Sequence, residues 1–347
     1  MIKIGWVVFS SRVLSVLGFL PISTAIGHHS ANVYFEIDTI IEVQGVISDV
    51  RWRNPHISFA LTSREPNREE VIWLVESNSV STLRQIGFTP EDLEIGALVT
   101  VAGWPAKQES NRMSGNHVLF PDGRELILRG SGVRYFSEGR DNRLTIADLE
   151  ARDVGNVSDM GLFRIWSTIG GPGQDRLWAN SYPLTDAAIT AQATWDPIAD
   201  NPAIRCEPKG IPSIVDPPYP MELVDQGDVI LIRQEEFDTV RTVYMNPDTA
   251  PSDPEPSILG HSVGYWDGDT LVVQSTLVSW PYFDNRGIPQ SLQARHVERF
   301  TVSENGRRLN YTLETTDPLT FTEPVKLDRF WLWRPGNEIE PYNCTPL

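Results

Sequence analysis

Residues 39–62 read TIIEVQGVISDVRWRNPHISFALT. Ile41, Val43 and Ile47 alternate with Glu42, Gln44 and Ser48, and Ile57, Phe59 and Leu61 repeat the pattern after Asn54-Pro55, so one face of each run is apolar. A period of two is the signature of a half-buried strand. Thr39 to Val50 and Arg51 to Thr62 therefore predict a long bent strand pair. A strand follows at Val71 to Glu76 (VIWLVE). Ser79 to Ile86 then places Val80, Leu83 and Ile86 at helical spacing. Ala97 to Trp104 and His117 to Leu128 add two strands, the last interrupted by a Pro121-Asp122-Gly123 turn. Three strands, a helix and two strands is the order of an OB-type five-stranded barrel, with the helix plugging the gap between strands three and four.

Further along, residues 133–205 lose the alternation and carry Gly170-Gly171-Pro172-Gly173 together with Trp166, Trp178 and Trp195. Three tryptophans are too much apolar surface for a solvated linker, so this stretch reads as a connector wrapped over a domain. Within it, Thr185 to Trp195 reads as a short helix capped by Thr185. The remainder, 206–347, alternates again. About seven strands are expected, at Val229 to Phe237, Thr239 to Met245, His261 to Tyr265, Leu271 to Thr276, His296 to Val302, Leu309 to Thr315 and Val325 to Trp333, with hairpin turns at Asp267-Gly268 and Asn305-Gly306. Hairpins without intervening helices predict a C-terminal antiparallel β-barrel or sandwich. The class is all-β, with an OB-type domain at 28–132 preceding the connector.

Met1 to Gly27 reads as a secretory signal peptide: Lys3 and Arg12 are basic, Val13 to Leu20 is apolar, and Ala25-Ile26-Gly27 has small residues at both ends of a cleavage tripeptide. Cleavage before His28 would leave 27 basic against 46 acidic residues, a net charge of −19. Such a surface excludes nucleic acid, whose affinity comes from neutralised phosphates. No second apolar run reaches the roughly 18 residues of a membrane span, so no transmembrane span is expected in the mature chain. Two cysteines alone, Cys206 and Cys344, would enter an oxidising compartment and are expected to pair in a disulfide. A metal pair or a nucleophilic thiol lacks a nearby histidine or a Cys-x-x-Cys spacing.

The stretch HHSANVYFEIDTIIEVQGVISDVRWRNPHISFAL, with LRQIGFTPEDLEIGALVTVAGWPA and FPDGREL, resembles the DUF6152 family of exported bacterial proteins. The resemblance implies an OB-type domain that begins with a histidine pair after its leader and carries Asn-Pro-His in its second strand, here His28-His29 and Asn54-Pro55-His56. It also implies a periplasmic or secreted location. The second half, through DNPAIRCEPKGIP, GHSVGYWDGDTLVV and HVERF, is similar to the domain often joined to that one in bacterial proteins of unknown function. The chain has Gln290-Ser291 where that similarity leads one to expect His-Ser.

Two candidate sites follow. At a mature amino terminus, the α-amine and Nδ1 of His28 would chelate one metal ion, and His29, His56 or His117 would add an imidazole. Nitrogen ligands in that arrangement favour copper(II). The alternative has these histidines frayed or merely hydrogen-bonded. In the C-terminal domain, His296, Glu298 and Phe300 share one strand face, and His261, Val263 and Tyr265 share another. If both line one lumen, His261, His296 and Glu298 supply acid/base chemistry beside a small hydrophobic molecule stacked on Tyr265, Trp280, Tyr282 and Phe283. That arrangement would make either a binding protein or a cofactor-independent isomerase, cyclase or hydratase. The alternative pairs Glu298 with Arg241 or Arg299 as a sheet-holding ion pair. Glu235 and Glu236, adjacent on an expected strand, should point to opposite faces. Serine hydrolysis and phosphate-loop chemistry lack their motifs.

Overall fold

A computed structural model describes residues 34–64, 70–85, 87–129, 133–137, 157–167, 181–216, 219–333 and 336–344. The leader, His28 and His29 lie outside the described residues.

The N-terminal unit comprises β1 (Ile41–Arg51), β2 (Ser58–Arg64), β3 (Glu70–Glu76), α1 (Val80–Gln85), β4 (Leu98–Pro105), β5 (Arg112–Leu119) and β6 (Glu125–Ile127). Strand β1 lies between β2 and β4, β4 pairs with β5, and β3 pairs with β2 and, in parallel, with the start of β5, which closes five strands into the expected OB-type barrel. The alternation decides the interior: Ile47, Phe59, Leu61, Val75, Val101, Met113 and Val118 are all buried in one cluster, and Val80 and Leu83 of α1 plug the open end. Gly103 sits where β4 crosses β5 at a register shift, and a Cβ there would lie 2.0 Å from the Ser114 carbonyl oxygen. Only glycine fits such an approach.

The second unit is also a closed barrel, of nine strands rather than about seven. It contains β7 (Ile165–Ser167), β8 (Met221–Asp225), β9 (Val229–Gln234), β10 (Thr239–Tyr244), β11 (His261–Asp267), β12 (Thr270–Thr276), β13 (Arg295–Val302), β14 (Arg308–Thr316) and β15 (Val325–Trp333). The strands β7 and β8 were not legible. Three residues are too few to show a period, and β7 pairs only two residues with each of β15 and β8. A parallel contact between β10 and β11, over Val243↔Ser262 and Tyr244↔Val263, shuts the barrel. Helix α2 (Asp186–Ala193) begins as expected, with Thr185 Oγ1 accepting from Ala188 N at 3.2 Å. Cys206 and Cys344 form the expected disulfide, Cα atoms 5.8 Å apart. No helix among the described residues is long and apolar enough to cross a membrane.

Candidate functional site

Along β13 the inward side chains are His296, Glu298 and Phe300, all buried. Register then sets three interior layers: Ser275, His296 and Thr315; Val273, Glu298 and Leu313; and Leu271, Phe300 and Tyr311. In the middle, Arg241 of β10 reaches across and grips Glu298 with both ends of its guanidinium, Nη1 to Oε2 at 2.7 Å and Nη2 to Oε1 at 3.1 Å. Tyr311 donates its hydroxyl to Oε1 at 2.9 Å. A buried carboxylate is tolerated when paired and fully hydrogen-bonded, and this one is. Of Arg241 and Arg299, Arg241 is the partner. Arg299 points the other way, to Asp267 Oδ2 at 3.1 Å.

One layer along, the polarity is unfinished. His296 Nδ1 is 2.9 Å from Thr315 Oγ1, but its Nε2 is buried with no hydrogen-bond partner. Burial, with the nearby charge of Arg241, lowers its pKa to about 3, so the ring is neutral at any physiological pH. Beside it, Ser262 Oγ and Ser275 Oγ share a hydrogen bond of 2.8 Å. Asp317, also buried, is satisfied by Ser291 N, Ser291 Oγ and Thr320 Oγ1 at 2.8, 2.7 and 2.9 Å. This end of the barrel is covered by the β12–β13 connection, where Trp280 donates Nε1 to Ser213 Oγ at 3.1 Å and Phe283 packs edge-on to Phe321 and Tyr182.

The expected common lumen of His261, His296 and Glu298 is not formed. The inward residues of β11 are Ser262, opposite Ser275, and Gly264, against which Val243 packs. A strand alternates, so His261 and Tyr265 must face out. Indeed His261 stacks on Tyr244 with centroids 5.5 Å apart, and Tyr265 is 46% exposed. Of the expected stacking residues, Trp280 and Phe283 are buried in the cover of the barrel, and Tyr282 lies at its edge, its hydroxyl 3.3 Å from the Asp200 carbonyl oxygen.

In the OB-type barrel, His56 Nδ1 donates to the Ser77 carbonyl at 2.9 Å, and burial lowers the pKa of its ring. His117 Nδ1 lies 3.1 Å from Glu125 Oε1. Among the described residues no group of three or more His, Cys, Asp or Glu side chains is placed to hold a metal ion. The metal expectation thus rests on His28 and His29, outside those residues.

Two groups that matter were missed. Glu235 and Glu236 do not alternate on a strand: β9 ends at Gln234, Phe237 turns the chain with φ 58°, and both carboxylates are buried. Glu236 is paired with Lys209 Nζ at 2.8 Å. Glu235 bonds instead to Asn54 of the other barrel. A side chain at positive φ that is not glycine gives no sequence signal of its own.

The molecule is thus a two-barrel, all-β protein whose first barrel has OB topology and whose second encloses a charged core. Residues 20–115 match the model of DUF6152, a family of unknown function, so the N-terminal part carries the region that its sequence resembled. Neither a curated protein nor a solved structure matches the chain.

Proposed function

We propose that this is an exported binding protein whose nine-stranded barrel takes a small, mostly apolar molecule bearing one uncharged polar group, with His296 Nε2 as its anchor. The observation that carries this reading is the unsatisfied Nε2 of His296, set among buried Val and Phe side chains and the paired hydroxyls of Ser262 and Ser275, one layer from the matched Arg241–Glu298 pair. A buried polar atom without a partner costs about 1–3 kcal/mol, which a ligand hydroxyl or carbonyl would recover. An ionic head group is disfavoured there, because His296 is neutral and the nearby cation Arg241 is already matched by Glu298. Export draws support from the leader-like Met1 to Gly27 and from the Cys206–Cys344 disulfide.

Ring-nitrogen NMR with 1-naphthol as probe tests the site. Saturable binding should move the His296 Nε2 resonance, and His296→Leu should abolish binding while the barrel stays folded. No saturable binding, or equal binding by His296→Leu, would overturn the proposal. The acid/base alternative draws less support, because Glu298 is held by Arg241 and Tyr311 and His261 faces away.

A further inference from the structure

Asn54 is buried although it sits in the β1–β2 connection, and its side chain is spent on both barrels. Oδ1 accepts from Val80 N of its own domain at 3.0 Å, while Nδ2 donates to Glu235 Oε1 of the second barrel at 3.0 Å and lies 3.5 Å from the Pro341 carbonyl oxygen. The next residue continues the contact, the Pro55 carbonyl accepting from Tyr219 OH at 3.4 Å. Helix α1 supplies the rest: Arg84 pairs with Glu340, and Gln85 Nε2 donates to Ser167 Oγ at 2.5 Å. On the far side, the second oxygen of Glu235 accepts from Glu340 N at 3.0 Å. Asn54-Pro55 is thus the centre of a polar contact whose other half is the second barrel's own turn and C-terminal tail.

Glu235 has only neutral donors. Its carboxyl is fully buried, and burial pushes its pKa up to about 7. The ionisable groups around it do not offset a charge: Arg84 is taken by Glu340, Lys209 by Glu236, and Asp238 accepts from Tyr342 N at 3.0 Å. Arg129 on the OB side donates to the Ser77 carbonyl at 3.1 Å. Tyr219 and Tyr342 stay neutral, burial pushing both hydroxyls far above their usual range.

We infer that the face formed by Asn54, Pro55 and α1 is a docking surface whose partner is the Glu235 turn of the same chain, and that ionisation of Glu235 loosens the two barrels from each other. The sign follows from linkage. A carboxyl that titrates near 7 when docked and near 4.5 when free favours docking fully below about 4.5, and that preference is lost as pH rises through about 7.

Hydrogen exchange of the Glu340 amide in the full chain, corrected for intrinsic rates, reads the docking. Between pH 5.5 and 8.5 its protection should fall about thirtyfold, from the two carboxyl values just given. Glu235→Gln, which keeps the shape and cannot ionise, should remove that pH step. Gln85→Ala and Tyr219→Phe should lower protection at both pH values. A wild-type protein with no step, a step that persists in Glu235→Gln, or unchanged protection in both Gln85→Ala and Tyr219→Phe would overturn the inference.

Discussion

Replacing Arg241 by methionine removes the one cation that, among the described residues, is bonded to Glu298, a carboxylate with no exposed surface. Tyr311 would still donate to Oε1, but a single neutral hydroxyl cannot replace a bidentate guanidinium. Breaking one side of a buried ion pair costs about 3–5 kcal/mol, a large part of the roughly 5–15 kcal/mol that holds a typical domain together. The double variant Arg241→Met/Glu298→Leu removes the stranded charge and should regain most of that loss, leaving about 1–3 kcal/mol for the orphaned Tyr311 hydroxyl. Adding Tyr311→Phe should return the barrel close to wild-type stability. Urea unfolding at pH 7, followed by near-ultraviolet circular dichroism of the cluster of Phe300, Tyr311 and Trp331, measures all three. If Arg241→Met costs less than about 1 kcal/mol, or the double variant is no better than the single, Glu298 is not the structural carboxylate described above.

His296 should govern the acid limb of stability. Its pKa is lowered to about 3 in the fold from 6.5, so unfolding takes up a proton between these values. The stability present above pH 6.5 is therefore lost as pH falls towards 3, by up to about 5 kcal/mol, and His296→Leu should flatten the limb in acid titrations followed by circular dichroism. Replacing Cys206 and Cys344 by alanine opens a loop of sequence separation 138 and should cost about 2–5 kcal/mol in chemical denaturation, with increased exchange at Glu340 and Tyr342. Protein purified with His28 as its first residue is expected to bind one copper ion in a calorimetric titration, with affinity falling below about pH 6 and lost when a methionine precedes His28.

How far the sequence reaches depends on whether a feature is local. Period-two alternation in residues 39–62 and the spacing of Val80 and Leu83 were enough for OB order, because each strand and the helix declare their apolar faces within a few residues. The Thr185 cap is local in the same sense, and two cysteines leave a single possible pairing. The sharing of a face by His296, Glu298 and Phe300 was equally legible.

What alternation cannot supply is the sign of a face. His261 and Ser262 are neighbours, and barrel closure through Val243↔Ser262 sends the serine in and the histidine out, which dissolves the expected lumen trio. Nor can it count strands of three residues, such as β7. Partners far apart in sequence were out of reach for the same reason. Arg241 meets Glu298 across 57 residues, and Asn54 meets Glu235 across 181, after Phe237 has turned the chain where a strand was expected to continue. Most of the secondary structure follows from short-range chemistry, and the disulfide from there being only two cysteines. Which carboxylates are buried, what answers them and how the two barrels touch are set by closure of the sheets, because only closure brings such residues within hydrogen-bonding distance.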